Sequence, residues 1–347
     1  MPAQPDHPTR RAVLAGCAAL PFAAAQAAAA PPYARVRRLD PALDALIAPD
    51  VEIEQIGSGF SWTEGPVWVR HGGFLLFSNL SPTANTIYRW SRKDGVTAYI
   101  APAGYAGPPT PAVREPGSNG LAIDRAGKLI ICDSGARSVD RYDLATKQRR
   151  TLVDRFEGNR FNSPNDLAIA RSGAIYFTDP PYGLEGLEKS PIKELDFSGV
   201  YRLSSDGTLA LLDKEFLYPN GIAFSPDEKT LFVCNSDQKL AIIRAYKLDA
   251  KGMPVSTSTF FDFRPYFAPG VIGVPDGMKI DAKGNVFAAG PGGHFVISPS
   301  GKLLGVIEIP GRYATNSAFG EDGSTLFIAA TDTVWRMRLK TKAAHWS

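Results

Sequence analysis

The sequence is short of the residues that would tie it to a disulfide scaffold, a soft-metal cluster or a membrane. Its 347 residues include three cysteines and four histidines. Cys17 falls in a segment read below as removed on export, which leaves Cys132 and Cys234. These two occupy the same place in a repeat, in units that are not neighbours, so their Cα atoms should stand farther apart than the ~7 Å a disulfide spans. Two buried free thiols are expected, even in an oxidising compartment. His71 falls in a turn and His345 at the terminus. His294 follows Pro291-Gly292-Gly293 in a stretch that reads as a loop, where it is either solvated or turned to a pocket.

Long apolar runs are missing too. Beyond the first thirty residues none reaches the ~18 apolar positions of a membrane span. Charge of one sign is likewise absent: 38 basic against 35 acidic residues leave a formal +3. The one basic cluster, Lys147 to Arg150, lies on an expected surface turn without interleaved aromatics. It reads as a solvated face rather than a nucleic-acid contact. No Gly-x-Ser-x-Gly nucleophile elbow, phosphate-cradling loop or dinucleotide fingerprint appears, which argues against serine-hydrolase and nucleotide chemistry. Helical periodicity is nearly absent after residue 47, and only Pro41 to Ile47 suggests a short helical turn.

What the chain has in quantity is glycine (33) and proline (28), as suits many short strands joined by tight turns. One pattern recurs: a polar residue, a small residue, an alternating apolar strand, a glycine-containing turn and a second apolar strand. It runs from Glu64 to Asn79, Asn119 to Asp133, Asn165 to Asp179, Asn220 to Asn235, Asp276 to Gly290 and Asn316 to Ala330. The leading residues are 55, 46, 55, 56 and 40 positions apart, a period typical of propeller blades. Further strand signals, such as Ser138 to Tyr142, Gly199 to Leu203 and Ala241 to Leu248, supply outer strands. The expected fold is therefore all-β, a six-bladed β-propeller forming one domain over residues 51–347. Val51 to Gly57 should pair with Val334 to Leu339 to close the ring and leave no uncovered edge. Residues 31–50 read as an N-terminal extension.

The heads of the repeats are Glu64, Asn119, Asn165, Asn220, Asp276 and Asn316. If the first strand of each unit is innermost, all six point into one mouth of the central channel. Any one Asn-Gly or Asp-Gly pair is ordinary turn chemistry, but a glutamate before Gly65-Pro66 has no such role. Two carboxylates with several amide oxygens, and neither histidine nor cysteine, make the ligand set of a hard divalent cation. Glu64 and Asp276 would neutralise it, and Asn165 and Asn220 would add carbonyl oxygens. Calcium fits best, then magnesium or manganese, with zinc less natural.

The N-terminus carries an address. Arg10-Arg11 is followed by the alanine-rich run Ala12 to Ala25 and by small residues ending near Ala27 or Ala30. This is an export signal of the twin-arginine type over residues 1–30, and it implies a periplasmic protein. Leu14-Ala15-Gly16-Cys17 also spells a lipid-attachment box, but too few apolar residues separate it from Arg11.

Glu64-Gly65-Pro66-Val67-Trp68, Asn162-Ser163-Pro164-Asn165-Asp166, Tyr176 through Gly183, Tyr218-Pro219-Asn220-Gly221 and Val274-Pro275-Asp276-Gly277-Met278 resemble the gluconolactonase and senescence-marker-protein (regucalcin) family, over about residues 50 to 340. The pattern looks closest to the bacterial gluconolactonases. In fold the family is similar to diisopropyl fluorophosphatase, a calcium-dependent propeller. The resemblance implies that Glu64, Asn165, Asn220 and Asp276 hold the cation. It also implies that Asp276 moves the proton, that Asn165 also meets substrate and that Asn119 belongs to the surrounding ring. Where the regucalcin branch has an arginine, Ser163 stands here, so that branch's sugar contacts do not carry over. Asp179, Tyr182, His294 and the Pro/Gly-rich stretch Ala101 to Gly117 are candidates for the substrate wall or a lid. The implied activity is hydrolysis of a small sugar lactone by cation-activated water, with Asp276, or else Asp166, as general base. Two alternatives remain: hydrolysis of phosphotriesters or other esters at the same site, and a calcium-binding propeller without turnover.

Overall fold

The alternation of apolar and polar residues in each repeat can bury one row of side chains only by pairing as hairpins, and this is the arrangement in the computed structural model. It describes residues 33–108 and 110–344; the expected export segment and His345 lie outside these. In the unit headed by Asn165, Leu167–Ile169 pairs antiparallel with Ile175–Asp179 across a turn at Gly173. Gly199–Leu203 and Leu209–Asp213 complete the sheet. Six sheets of this kind follow one another along the chain. Their innermost strands are Thr63–Val69, Ser118–Ile123, Leu167–Ile169, Pro219–Phe224, Met278–Ile280 and Ala314–Gly320, and each touches the next around a common axis.

The ring closes as expected. Ile53–Ser58 pairs antiparallel with Thr333–Arg338, with Ile53 opposite Met337 and Glu54 opposite Arg336, so the first repeat-proximal strand completes the last blade. The segment expected to be an extension is instead part of the sheet system. Arg35–Arg38 adds a fifth strand to the blade of Asp276 by pairing with Leu303–Glu308, and Arg35 and Arg37 both reach Glu308 at 2.7 and 2.6 Å. A 3-10 turn, Pro41–Ala45, is capped by the Asp40 carboxylate, which accepts from the Ala42 amide at 2.8 Å. It sends Leu43, Leu46 and Ile47 into a core with Phe287, Leu326 and Met337. The gain is a covered edge: an outer strand left bare would present a row of unpaired amides and carbonyls.

Packing between blades supplies the core. Ile130, Cys132, Val139, Phe161, Phe177 and Tyr201 interlock where the second and third blades meet, and each large apolar side chain buried this way contributes about 1.5–3 kcal/mol. Both described cysteines are buried and free, as anticipated. Among the described residues no helix is long and apolar enough to cross a membrane. The basic cluster departs from expectation at one position. Lys147 and Arg150 are exposed, but Arg149 is half-buried and bonds to the carboxylates of Asp133 and Asp140 and to the Ala103 carbonyl. It is a clamp between two strands and the loop that precedes their blade, because two buried carboxylates need a cation more than the turn needs a solvated one.

Candidate active site

Four of the six heads, Glu64, Asn119, Asn220 and Asp276, are followed by glycine, and there the inner strands approach closely because the backbone has no side chain. Gly65 sits at φ +48, and a Cβ there would overlap the Asn119 carbonyl; a Cβ on Gly221 would overlap the carbonyl of Asp276. The glycine after these four heads is thus a close-approach requirement between neighbouring inner strands, not only turn chemistry. Hydrogen bonds stitch the same circle. Ser78 Oγ donates to the Asn119 carbonyl (2.7 Å) and the Gly120 amide to the Asn165 carbonyl (2.7 Å). Thr178 Oγ1 donates to the Asn220 carbonyl (2.8 Å), Cys234 Sγ to the Asp276 carbonyl (2.8 Å) and Thr315 Oγ1 to the Thr63 carbonyl (2.7 Å). Four heads are held through their carbonyls by the blade before them, and Glu64 through its neighbour Thr63, so the ring's shape is set by the closure of the propeller.

The side chains of four heads, Glu64, Asn220, Asp276 and Asn316, share one neighbourhood with Asp166. Glu64 is buried, and its Oε2 accepts from the Gly65 amide at 3.0 Å. Burial raises its carboxyl to about 8, and the nearby Asp166 adds to the rise. Burial likewise pushes Asp276 well above the usual carboxylate range, with Glu64 and then Asp166 as further causes. Three carboxylates therefore repel one another inside a site poor in water. Asn119, Asn165, Asn220 and Asn316 are all buried. Asp276 is the one head that is only half-buried. Asn220 Nδ2 donates to Ser236 Oγ at 3.0 Å, which leaves its Oδ1, like that of Asn119, buried and without a hydrogen-bond partner.

An unpartnered buried carbonyl is costly. That of Asn220, beside Asp276 in a cluster of three mutually repelling carboxylates, fits a hard cation, which would satisfy the carbonyl and neutralise the acids. Among the described residues no group of three or more histidine, cysteine, aspartate and glutamate side chains is arranged to hold a metal by itself. A cation here would need the amide oxygens as well.

Of the expected wall residues, Tyr182 stands beside the ring. It is half-buried, stacks on Tyr218 (centroids 5.2 Å apart, planes at 17°) and lies near Ser236 and Asp276; burial raises its phenol, which stays neutral and able to donate. The stretch Ala101 to Gly117 is tied to the same loop: the Arg114 amide donates to the Gly183 carbonyl at 2.9 Å, and Val113 bridges Leu184. Asp179 departs from expectation. It is fully buried, and its two carboxylate oxygens accept from the Asn162 and Ser163 amides at 2.8 and 2.7 Å. It braces the loop that presents Asn165 and has no oxygen to offer a ligand at the mouth. Ser163 is equally committed, receiving the Gly183 amide at 2.8 Å and donating to the Pro180 carbonyl.

His294 is the second departure. Pro291-Gly292 makes a two-residue hairpin rather than a loop, so His294 enters the strand Gly293–Ile297 opposite Ala289, with no exposed surface. Its Nε2 meets Ser317 Oγ at 3.0 Å. Burial, helped by Lys279, lowers it from 6.5 to about 3, so it is neutral in the fold. The unfolded chain takes up a proton below about pH 6.5 that the native state refuses until about pH 3. Its contribution to stability is therefore complete above pH 6.5 and falls as the pH drops through that window. Denaturant midpoints of His294→Gln against pH should show a shallower acid loss, by up to ~1.4 kcal/mol per pH unit; an unchanged slope would contradict a neutral buried imidazole.

Sequence reasoning missed two groups. Lys279, on the strand just after Asp276, places its Nζ 4.0 Å from Asp166 Oδ2 and 3.2 Å from Asn316 Oδ1. Glu115, from the Pro/Gly-rich stretch, is raised to about 7 by burial and adds to the rise at Glu64. A lysine in an alternating strand reads as solvent-facing, and an acid in an irregular loop carries no positional signal at all.

Fold and site together define a propeller whose inner strands bring Glu64, Asp166, Asn220, Asp276 and Asn316 together near its axis. The chain belongs to the SMP-30/Gluconolactonase/LRE-like family, whose model matches residues 62–332. It is 47% identical over 310 residues to a gluconolactonase of Zymomonas mobilis, covering 88% of this chain and 86% of the relative. The structure of a gluconolactonase from Xanthomonas campestris superposes with a TM-score of 0.75 at 31% identity, over 91% of this chain and 99% of that one. A calcium-binding regucalcin from Agrobacterium tumefaciens shares the fold, with a TM-score of 0.66 at 20% identity over 84% and 95% of the two chains.

Proposed function

We propose that this chain opens a sugar lactone to its hydroxy acid at the axial ring, with one divalent cation, calcium by preference, bound there. Lactone hydrolysis as such rests on the 47% identity to a gluconolactonase across most of the chain. The cation rests on a single observation: the buried, unpartnered amide carbonyl of Asn220 beside Asp276, whose carboxyl is crowded in turn by Glu64 and Asp166. Glu64, Asn165, Asn220 and Asp276 would hold it, and the donor set is hard oxygen throughout. Such an ion, once bound, polarises the lactone carbonyl and stabilises negative charge on its oxygen.

The chain's own residues do the rest. Asp276 is the one carboxylate of the cluster that is not fully buried, so its carboxylate is assigned the proton from the attacking water. As the ring C–O bond breaks, the same carboxyl returns that proton to the departing alkoxide oxygen, and one water is consumed per lactone opened. Asp166 is less suited to this task. Its Oδ1 accepts from the Leu167 amide at 2.9 Å, and Oδ2 faces Asn316 and Lys279. Tyr182, neutral and stacked on Tyr218, supplies a flat wall with one donor against which a sugar ring can be oriented. The test is a panel of aldonolactones assayed by acid release, with and without chelator, beside a phosphotriester. Cation-dependent release from at least one lactone is expected. Activity on the phosphotriester alone, or lactonase activity indifferent to chelation, would sink the proposal.

A further inference from the structure

We infer that Lys279 is the fixed countercharge of the axial centre, balancing Asp166 so that the ring as a whole is matched to a double positive charge and not a triple one. The inference rests on the cation reading above and goes beyond it. Met278–Ile280 is the innermost strand of its blade, and Lys279 lies three residues past Asp276, away from the mouth. Its side chain is 27% exposed, and it lines the tunnel of about 1080 Å³ that continues beneath the ring among Val67, Leu121, Leu167 and Ile222. From that side the ammonium meets Asn316 Oδ1 at 3.2 Å, the Met278 carbonyl at 3.0 Å and Asp166 Oδ2 at 4.0 Å. Asn316 Nδ2 in turn approaches Asp166 Oδ2 at 3.4 Å. Lysine thus orients both the amide and the carboxylate on the tunnel side of the ring, as a positioning residue that acts through its neighbours.

The arithmetic of charge gives the arrangement its meaning. With a dication bound, Glu64, Asp166 and Asp276 would carry three negative charges, and the dication and the Lys279 ammonium three positive ones. In a site this buried a surplus charge of either sign is expensive. Without Lys279, a dication would leave the centre one charge short, and a trication would balance it. The unit charge of the lysine therefore penalises a trivalent ion by one more Coulomb interaction than a divalent one. At the effective dielectric of a partly wet protein site this is worth about tenfold or more in relative affinity.

The experiment titrates cation-free full-length protein with Ca2+ by calorimetry and with Tb3+ by sensitised luminescence. Lys279→Met is expected to bind both ions more tightly and to raise the Tb3+ to Ca2+ affinity ratio about tenfold. Lys279→Arg should keep the ratio near that of the wild type. The double variant Asp166→Asn/Lys279→Met, which removes one charge of each sign, should return the ratio to the wild-type value, and it carries the test alone if Lys279→Met does not fold. An unchanged ratio in folded Lys279→Met, or a ratio in the double variant that departs from the wild type in either direction, overturns the countercharge. Failure of the wild type to bind either ion overturns the cation reading and the inference with it.

Discussion

Replacing Asp276 with asparagine is expected to lower kcat by about a thousandfold at saturating cation, within the usual range for loss of a general base. Thermal stability should change little. The substitution keeps the size of the side chain, and the bonds that anchor this position run through the main chain: the Cys234 thiol donates to the residue's carbonyl at 2.8 Å, and its amide donates to the Ala289 carbonyl at 3.2 Å. An amide in place of the carboxylate still offers a carbonyl oxygen to a cation but cannot accept a proton from water. The variant should therefore bind substrate with a KM within a few-fold of the wild type. A kcat within tenfold of wild type would remove Asp276 from the proton-transfer role and leave Asp166 or Glu115 to be tried.

Glu64→Gln should act on the other half of the site. Glu64 is buried, with one oxygen held by the Gly65 amide, so it has neither the access nor the freedom to exchange protons with substrate water. Its charge is its contribution. Removing it takes away one of three negative charges in a desolvated ring, and cation affinity measured by calorimetry should fall by about a hundredfold or more. Most of kcat should return at high cation concentration, because Asp276 is untouched. The two substitutions are therefore separable: one lowers turnover at saturation, the other shifts the concentration of cation needed to reach it. A Glu64→Gln enzyme whose cation dependence matches the wild type would place the ion elsewhere.

The architecture was legible because the same signal was written six times. Period-2 alternation with a glycine turn predicts a hairpin, and six hairpins at steps of 40 to 56 residues leave little choice but closure around an axis. The heads of the repeats could be picked out for the same reason, and their convergence follows once the first strand of each unit is innermost. What stayed hidden depends on contacts between residues distant in the chain. Arg35–Arg38 shows no apolar alternation; it is a strand because Leu303–Glu308 has a free edge and Glu308 a charge to share. Asp179 ends a strand beside a loop rich in proline, and nothing local says that its oxygens turn back to the Asn162 and Ser163 amides instead of out to the mouth. His294 looked like a loop residue because Pro291-Gly292-Gly293 does not distinguish a loop from a two-residue hairpin, and only packing against Ser317 of the next blade buries it. Arg149 reads as solvated and Lys279 goes unnoticed for want of any view of the carboxylates that hold them.

One measurement reaches the centre of this account. Cation-free protein is titrated with Ca2+ while bound ion and lactonase rate are followed in the same samples. The prediction is that activity is absent at the start, rises in proportion to occupancy and saturates when one ion is bound per chain. Full activity before any ion is added, or a rate that does not follow occupancy, would contradict it.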